Sequence, residues 1–165
     1  PIPSWMTIVS KGIYHFIIYV VLSSLMLPIG KLCLWHQLNL AHISYFKLFI
    51  AILFQSMFFA SFLLFTSSLV KNMTQIGVVW ARFIFPMWFM GGFQFSWLAL
   101  HKMLPSFAYF VLVNPMMYIT EAVRIALLGQ EGYINFWLCL LAITLFSAFF
   151  LYLALHNLKK KLDYV

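Results

Sequence analysis

The sequence NPMMYITEAVRIALLG, residues 114–129, predicts a short helix with a defined start and a defined end. Asn114 is a residue type that accepts hydrogen bonds from the free amides at a helix start, and Pro115 suits the first helical position. Gly129 can adopt the backbone conformation that ends a helix. The residues between these ends would form roughly 21 Å of helix, whereas the hydrocarbon core of a membrane is about 30 Å thick. This helix is therefore too short to cross a membrane.

The predicted short helix carries one acid–base pair. Glu121 and Arg124 are three residues apart, so their side chains share one helix face. A charged helix that is too short to span is more typical of a transporter or channel than of a simple anchor. Two interpretations remain open: the pair lines an outer gate or contacts substrate head groups, or it is a mutual ion pair at the membrane interface. Tyr118 shares this face, and its hydroxyl suits the level of the lipid head groups.

The composition indicates an integral membrane protein. Apolar residues make up 65% of the chain and charged residues 8%, which is too little charge to cover the surface of a soluble domain. The net charge of +7 does not indicate nucleic acid binding, because the one basic run, Lys159–Lys161, follows a hydrophobic segment and is typical of a cytoplasmic end. Cys33 and Cys139 lack metal-site or redox spacing, so we expect neither a metal site nor a disulfide.

No sequence motif indicates enzymatic chemistry. The acids are Glu121, Glu131 and Asp163, and no HExxH or GxSxG spacing joins the histidines or serines to them. A GxxxxGK[ST] phosphate-binding loop is also missing, since Gly30-Lys31 lacks both the earlier glycine and the following Ser or Thr. We therefore expect a chain that is not an enzyme and does not itself bind ATP.

Four apolar segments are long enough to span a membrane, which predicts an all-α membrane fold with about four transmembrane helices. Pro105 and the Asn114-Pro115 step divide the apolar sequence between the third and fourth segments into two pieces that are each too short to cross. We expect a re-entrant or interfacial pair of short helices there. We expect residues 1–12 to be the end of a cytoplasmic loop and residues 13–98 to contain three spans, at about 13–29, 48–70 and 76–98. An outer re-entrant segment at 99–133, a last span at 134–155 and a cytoplasmic tail at 156–165 would follow.

The third predicted span is interrupted at several points. The Gly91-Gly92 pair is either a hinge or a place where helices pack closely. Arg82 lies inside the same segment, where it either contacts a substrate or lipid phosphate or extends to the membrane surface.

Four spans place both ends of the chain on one side, and Lys159–Lys161 indicate that this side is the cytoplasm.

A series of motifs resembles the membrane subunit of type-2 ATP-binding-cassette (ABC) exporters. The motifs in chain order are Phe85-Pro86, Gly91-Gly92, Phe95, Trp97, Pro105, Asn114-Pro115-x-x-Tyr118-x-x-Glu121-x-x-Arg124 and Leu128-Gly129. The opening Pro1-Ile2-Pro3-Ser4-Trp5, with Lys11, is similar to the family's stretch that leads from a cytoplasmic coupling loop into its third span. The resemblance implies six spans in the family, so we expect residues 1–165 to be the C-terminal portion of a single permease domain.

The resemblance also implies roles for individual residues. The residues that it implies in coupling to a nucleotide-binding partner are Pro1, Pro3, Trp5 and Lys11. The residues that it implies in the outer gate or re-entrant helix are Asn114, Pro115, Tyr118, Glu121 and Arg124. The implied hinge is the pair Gly91 and Gly92. It assigns no catalytic residue and no metal ligand.

The implied function is that of a permease subunit of an ATP-driven exporter, which forms the path for a lipid, glycan, drug or other lipophilic substrate. Two permease copies would pair within membrane lipid, and ATP and magnesium would bind to a separate nucleotide-binding ATPase subunit. The implied location is the bacterial plasma (inner) membrane, with several spans and both ends of this chain in the cytoplasm. The alternative is a non-transporting membrane scaffold or assembly subunit, or a non-functional truncated permease. That alternative explains the hydrophobicity but not the capped, charged short helix.

Overall fold

The computed structural model describes residues 4–33, 43–70, 72 and 74–163, and every regular element within these residues is helical. In chain order the elements are α1 Ser4–Cys33, α2 Tyr45–Leu69, α3 Thr74–Val79, a π-helix Trp80–Ile84, α4 Phe85–Phe89, α5 Trp97–Met103, α6 Pro105–Val111, α7 Pro115–Leu128 and α8 Phe136–Asp163.

Three of the described helices, α1, α2 and α8, are long and apolar enough to cross a membrane. The count rises to four if α6 and α7, which bend by 97° relative to each other, form one span. The prediction of an all-α membrane fold with about four spans and a pair of short helices before the last one is therefore confirmed. The predicted bounds of α7 are also confirmed: Asn114 accepts from the Met116 amide at 3.0 Å, and Gly129 ends the helix with a φ of +99°.

Helix α2 lies at the centre and packs against α1, α7 and α8. The core between α2 and α8 is aromatic: the rings of Phe62 and Phe150 meet edge to face with their centroids 5.2 Å apart. At one end of the bundle, Ile8 of α1, Leu64 of α2 and Ala154 of α8 form a buried cluster. The start of α1 therefore lies beside the ends of α2 and α8.

Helix α1 begins earlier and α8 ends later than the predicted spans. Residues 4–12, expected to be the end of a loop, continue α1, because no proline or glycine interrupts the chain between Ser4 and Lys11. Pro28 lies inside α1 without ending it. At the other end of the chain, α8 continues past residue 155 to Asp163.

The third predicted span is helical only from Thr74 to Phe89, and we call this stretch the aromatic helix. Its length is about 24 Å at 1.5 Å per residue, less than the thickness of a hydrocarbon core. The helix ends at the glycine pair, where Gly92 has a φ of +75°, and residues 90–96 follow without regular structure. Pro86 has no amide hydrogen and its ring crowds the carbonyl four residues earlier, which disfavours a regular α-turn, and a π-helix precedes it.

The aromatic helix lies at the margin of the core, against which its partly buried residues Ile84 and Met87 pack. None of its residues is buried, and it reaches the rest of the chain through packing of α4 on α7. Its exposed large side chains include Trp80, Phe83, Phe85, Trp88 and Phe89. A helix of this kind has most of its surface available for lipid, substrate or another protein.

Candidate functional site

The candidate site is a set of four polar side chains on or next to α7, which we call the α7 polar network. They are Asn114, Thr120, Glu121 and Arg124, and each bonds to backbone groups outside α7. Irregular backbone at membrane depth is tolerated only where protein or water satisfies its polar groups. Residues 90–96 are irregular, and the network provides protein partners for them.

Glu121 joins the start of α5 to the segment before α8. Its side chain is 0% exposed. One carboxylate oxygen, Oε1, accepts from the Trp97 amide at 3.0 Å, and the other, Oε2, accepts from the Ile134 amide at 3.1 Å. Trp97 is the first residue of α5, where the amides have no partner inside the helix. The buried carboxylate therefore replaces water as the acceptor for two otherwise unsatisfied amides.

Arg124 binds the irregular segment itself. Its Nη1 donates to the Phe95 carbonyl at 2.8 Å, and its Nη2 donates to the Phe93 carbonyl at 2.9 Å. Nη1 also lies 3.6 Å from Oε1 of Glu121, and the Arg124 side chain is 22% exposed. The mutual ion pair, one of the two sequence interpretations, is thus present. Each partner also uses its remaining polar atoms to hold another segment, which the sequence did not indicate.

Asn114 and Thr120 hold the end of the aromatic helix. Gly91 donates its amide to the Trp88 carbonyl, so the Met87 carbonyl has no partner from the next helical turn. The side-chain amide of Asn114 donates to that Met87 carbonyl at 2.7 Å. The Thr120 hydroxyl donates to the Gly91 carbonyl at 2.8 Å. Both contacts satisfy carbonyls that a helix end leaves free.

The glycine pair permits the close approach of this backbone to α7. A Cβ added to Gly91 would lie 2.7 Å from Cβ of Met116, which is too close for a real contact. One added to Gly92 would collide with the Met117 sulfur and lie 3.0 Å from the Thr120 hydroxyl. The structure therefore shows close packing at Gly91 and Gly92, while their role as a hinge remains a prediction.

The remaining predicted site residues lie elsewhere. Tyr118 is half-buried on the side of α7 that faces α8, with its ring centroid 6.3 Å from that of Phe146. Pro115 is the buried first residue of α7. In the predicted coupling group, Pro1 and Pro3 lie outside the described residues, Trp5 lies in the first turn of α1, and Lys11 is exposed on the same helix.

Sequence reasoning missed Thr120 and all the backbone partners of the network. Thr120 is four residues before Arg124, so helical spacing could have placed it on the same face. The partners are amides and carbonyls, which every residue carries, so no residue type could have marked them. Among the described residues, no group of three or more His, Cys, Asp or Glu side chains could hold a metal ion.

Long apolar helices and a bent pair of short helices, which form either a broken span or a re-entrant loop, together define a multi-pass membrane protein. Residues 1–128 match the ABC-2 type transporter family. The match covers most of the 165 residues, so the chain belongs to that family and is a permease component of an ABC transporter. Members of the family usually work with an ATPase partner. No similar protein was found among curated proteins or among solved structures.

Proposed function

We propose that this chain is the permease subunit of an ATP-driven exporter, with the aromatic helix lining the path of a lipid, glycan, drug or other lipophilic substrate. The observation that carries this proposal is that residues 74–89 form a helix with no buried residue. Only Ile84 and Met87 of this helix, both partly buried, pack against the core of the described residues. The exposed aromatic surface faces lipid, substrate or another protein, and the bonds that fix the end of this helix to α7 support a role in the path.

A second permease copy would provide the opposite wall of this path. The aromatic helix is fixed at its end by the bonds from Asn114 and Thr120, while its own surface is left open. In a pair of copies, two such helices would face each other across a common passage, and membrane lipid would cover the remaining apolar surface.

The energy source would be a separate ATPase subunit that binds ATP and magnesium, because this chain has no phosphate-binding loop. We assign no covalent chemistry to the permease. The ATPase would contact the start of α1, where Met6, Ser10 and Lys11 are exposed. Since α1 is one continuous helix, a displacement of its start by the ATPase would move the whole helix as a rigid body against the bundle.

The proposed location is the bacterial plasma (inner) membrane, with both ends of this chain in the cytoplasm. The cluster of Ile8, Leu64 and Ala154 supports this orientation, because it brings the start of α1 and the end of α8 together. Lys11 and Lys159 lie near that end, and an excess of Lys and Arg is typical of cytoplasmic ends.

The test is reconstitution of the permease with its ATPase partner in proteoliposomes, followed by ATP-dependent movement of the lipophilic dye N-phenylnaphthylamine. Trp80→Ala changes an exposed tryptophan of the aromatic helix, and Trp137→Ala changes an exposed tryptophan of α8 as a matched control. We expect Trp80→Ala to slow dye movement severalfold and Trp137→Ala to leave it unchanged.

Two results would contradict this proposal. Equal effects of the two tryptophan variants would show that the aromatic helix simply faces lipid. An ATPase partner that binds the chain and hydrolyses ATP without any dye movement would favour a non-transporting scaffold instead.

A further inference from the structure

Arg82 is the one charged residue in the aromatic helix. It lies within the π-helix Trp80–Ile84, roughly 12 Å along the helix from Thr74. Its side chain is exposed, and it makes no hydrogen bond or ion pair with any residue that the structure describes. A π-helix is a rare element that occurs frequently at functional sites.

The chain contains few groups that could neutralise Arg82. Of its three acids, Glu121 is fully used by two amides and Arg124. Glu131 is exposed in the turn after α7, and Asp163 is the last residue of α8. A charged side chain inside a membrane segment is costly and normally pairs with an opposite charge or serves a function. Arg82 therefore either binds an anion from outside the described residues or extends its charge to the membrane surface.

A row of exposed aromatic rings runs along the same helix. The ring of Trp80 lies 5.6 Å from that of Phe85, and Phe85 lies 6.4 Å from Trp88. The ring of Trp88 then lies 5.3 Å from that of Phe93, beyond the helix end. All four rings are exposed. Arg82 is three residues before Phe85, so the helix carries an exposed guanidinium group beside the middle of this row.

We propose that Arg82 and this row of rings bind an amphipathic anion as the transported substrate. A carboxylate, phosphate or sulfonate head would bind the planar guanidinium through two parallel hydrogen bonds, and the apolar body would lie along Trp80, Phe85 and Trp88. This inference rests on the proposed function, because the aromatic helix must line the path for its ligand to be cargo. A resident membrane lipid carries the same phosphate chemistry, and the experiment separates the two sources.

The experiment compares two dyes that share one apolar body. Anilinonaphthalenesulfonate carries a sulfonate, and N-phenylnaphthylamine does not. Binding of each dye to the purified permease–ATPase complex in nanodiscs of neutral lipid is followed by fluorescence, for the wild type, Arg82→Gln and Arg82→Lys. Lys159→Gln, which also removes one exposed positive charge, is the matched control.

We expect Arg82→Gln to weaken binding of the sulfonate dye about tenfold or more, because a hydrogen bond to a charged group is lost. Binding of the neutral dye should stay within about twofold of the wild type, as should both dyes with Lys159→Gln. Arg82→Lys should fall between the wild type and Arg82→Gln, since an ammonium keeps the charge but loses the planar fork. ATP-dependent movement of the sulfonate dye should fall with its binding.

The proposal is overturned if the wild type shows no saturable sulfonate-dye binding, or if Arg82→Gln leaves the ratio of the two dye affinities unchanged. If Arg82→Gln changes only the stabilisation of the complex by added phosphatidylglycerol, the partner is a resident lipid and the substrate assignment fails. These outcomes differ from failure of the proposed function, in which neither dye moves with ATP although the dyes still bind.

Discussion

The Glu121–Arg124 pair should not tolerate exchange of its two residues. A pair that contacted only itself would work equally well as Glu121→Arg with Arg124→Glu. In the structure, however, position 121 must accept hydrogen bonds from the amides of Trp97 and Ile134. Position 124 must donate to carbonyls. The exchange would place donors against donors and acceptors against acceptors at both positions.

The expected cost follows from the bonds that are lost. A hydrogen bond to a charged group contributes about 1.5–3 kcal/mol, so losing the two carboxylate bonds alone amounts to about 3–6 kcal/mol. Glu121→Gln keeps one acceptor oxygen but leaves the partly exposed Arg124 without its opposite charge. We expect this variant to lower the free energy of unfolding by about 3 kcal/mol, the low end for breaking a buried pair. The exchanged double variant should lower the free energy of unfolding by at least as much as this single variant. A loss of about 3 kcal/mol raises the equilibrium constant for unfolding by roughly 100-fold.

The measurement is reversible unfolding in mixed micelles by increasing sodium dodecyl sulfate, followed by tryptophan fluorescence. Glu131→Gln is the matched control, because Glu131 is exposed in a turn and should change the unfolding free energy by less than about 0.5 kcal/mol. If the exchanged variant unfolds within about 1 kcal/mol of the wild type, the backbone contacts of the pair contribute little and the reasoning is refuted.

Three further predictions concern topology, packing and coupling. Cysteines at His101 and Gln130 should react with an impermeant thiol reagent from the same side of the membrane, and reaction from opposite sides would show that the segment between them spans. Gly92→Ala should destabilise the fold by about 1–3 kcal/mol in the same unfolding assay, because its φ is positive and α7 packs against it. Gly77→Ala, with open space around it, should be neutral or slightly stabilising, and equal effects of the two would remove the packing argument. A photocrosslinker at Trp5 should capture the ATPase partner, and ATP hydrolysis by the purified permease alone would contradict the assignment of hydrolysis to that partner.

The bounds of α7 could be predicted because the signals for a helix start and end are local. Asn114 and Pro115 define the start, and Gly129 defines the end, within a few residues of the turns they form. The Glu121–Arg124 contact was equally accessible, since helical spacing alone brings the two side chains together. These features need no knowledge of the rest of the fold.

The end of the aromatic helix could not be predicted in the same way. Residues 90–98 are apolar enough to continue a span, and glycine alone does not end a helix inside a membrane. The helix stops at Phe89 because α7 provides partners for the carbonyls that become free there, above all Asn114 for Met87. This is a tertiary effect between segments 27 residues apart in the chain.

The same contacts bear on where the permease moves during transport. Rotation at Gly92 would pull the Gly91 carbonyl away from Thr120, and it would also strain the bonds between Arg124 and the irregular segment. The start of the aromatic helix has no buried residue to restrain it. We therefore expect α7 and the end of the aromatic helix to move as one body, with the change of direction near Thr74. In that case the glycine pair serves as a packing point between two rigidly joined segments, and movement of the path depends on how freely the helix pivots at its other end.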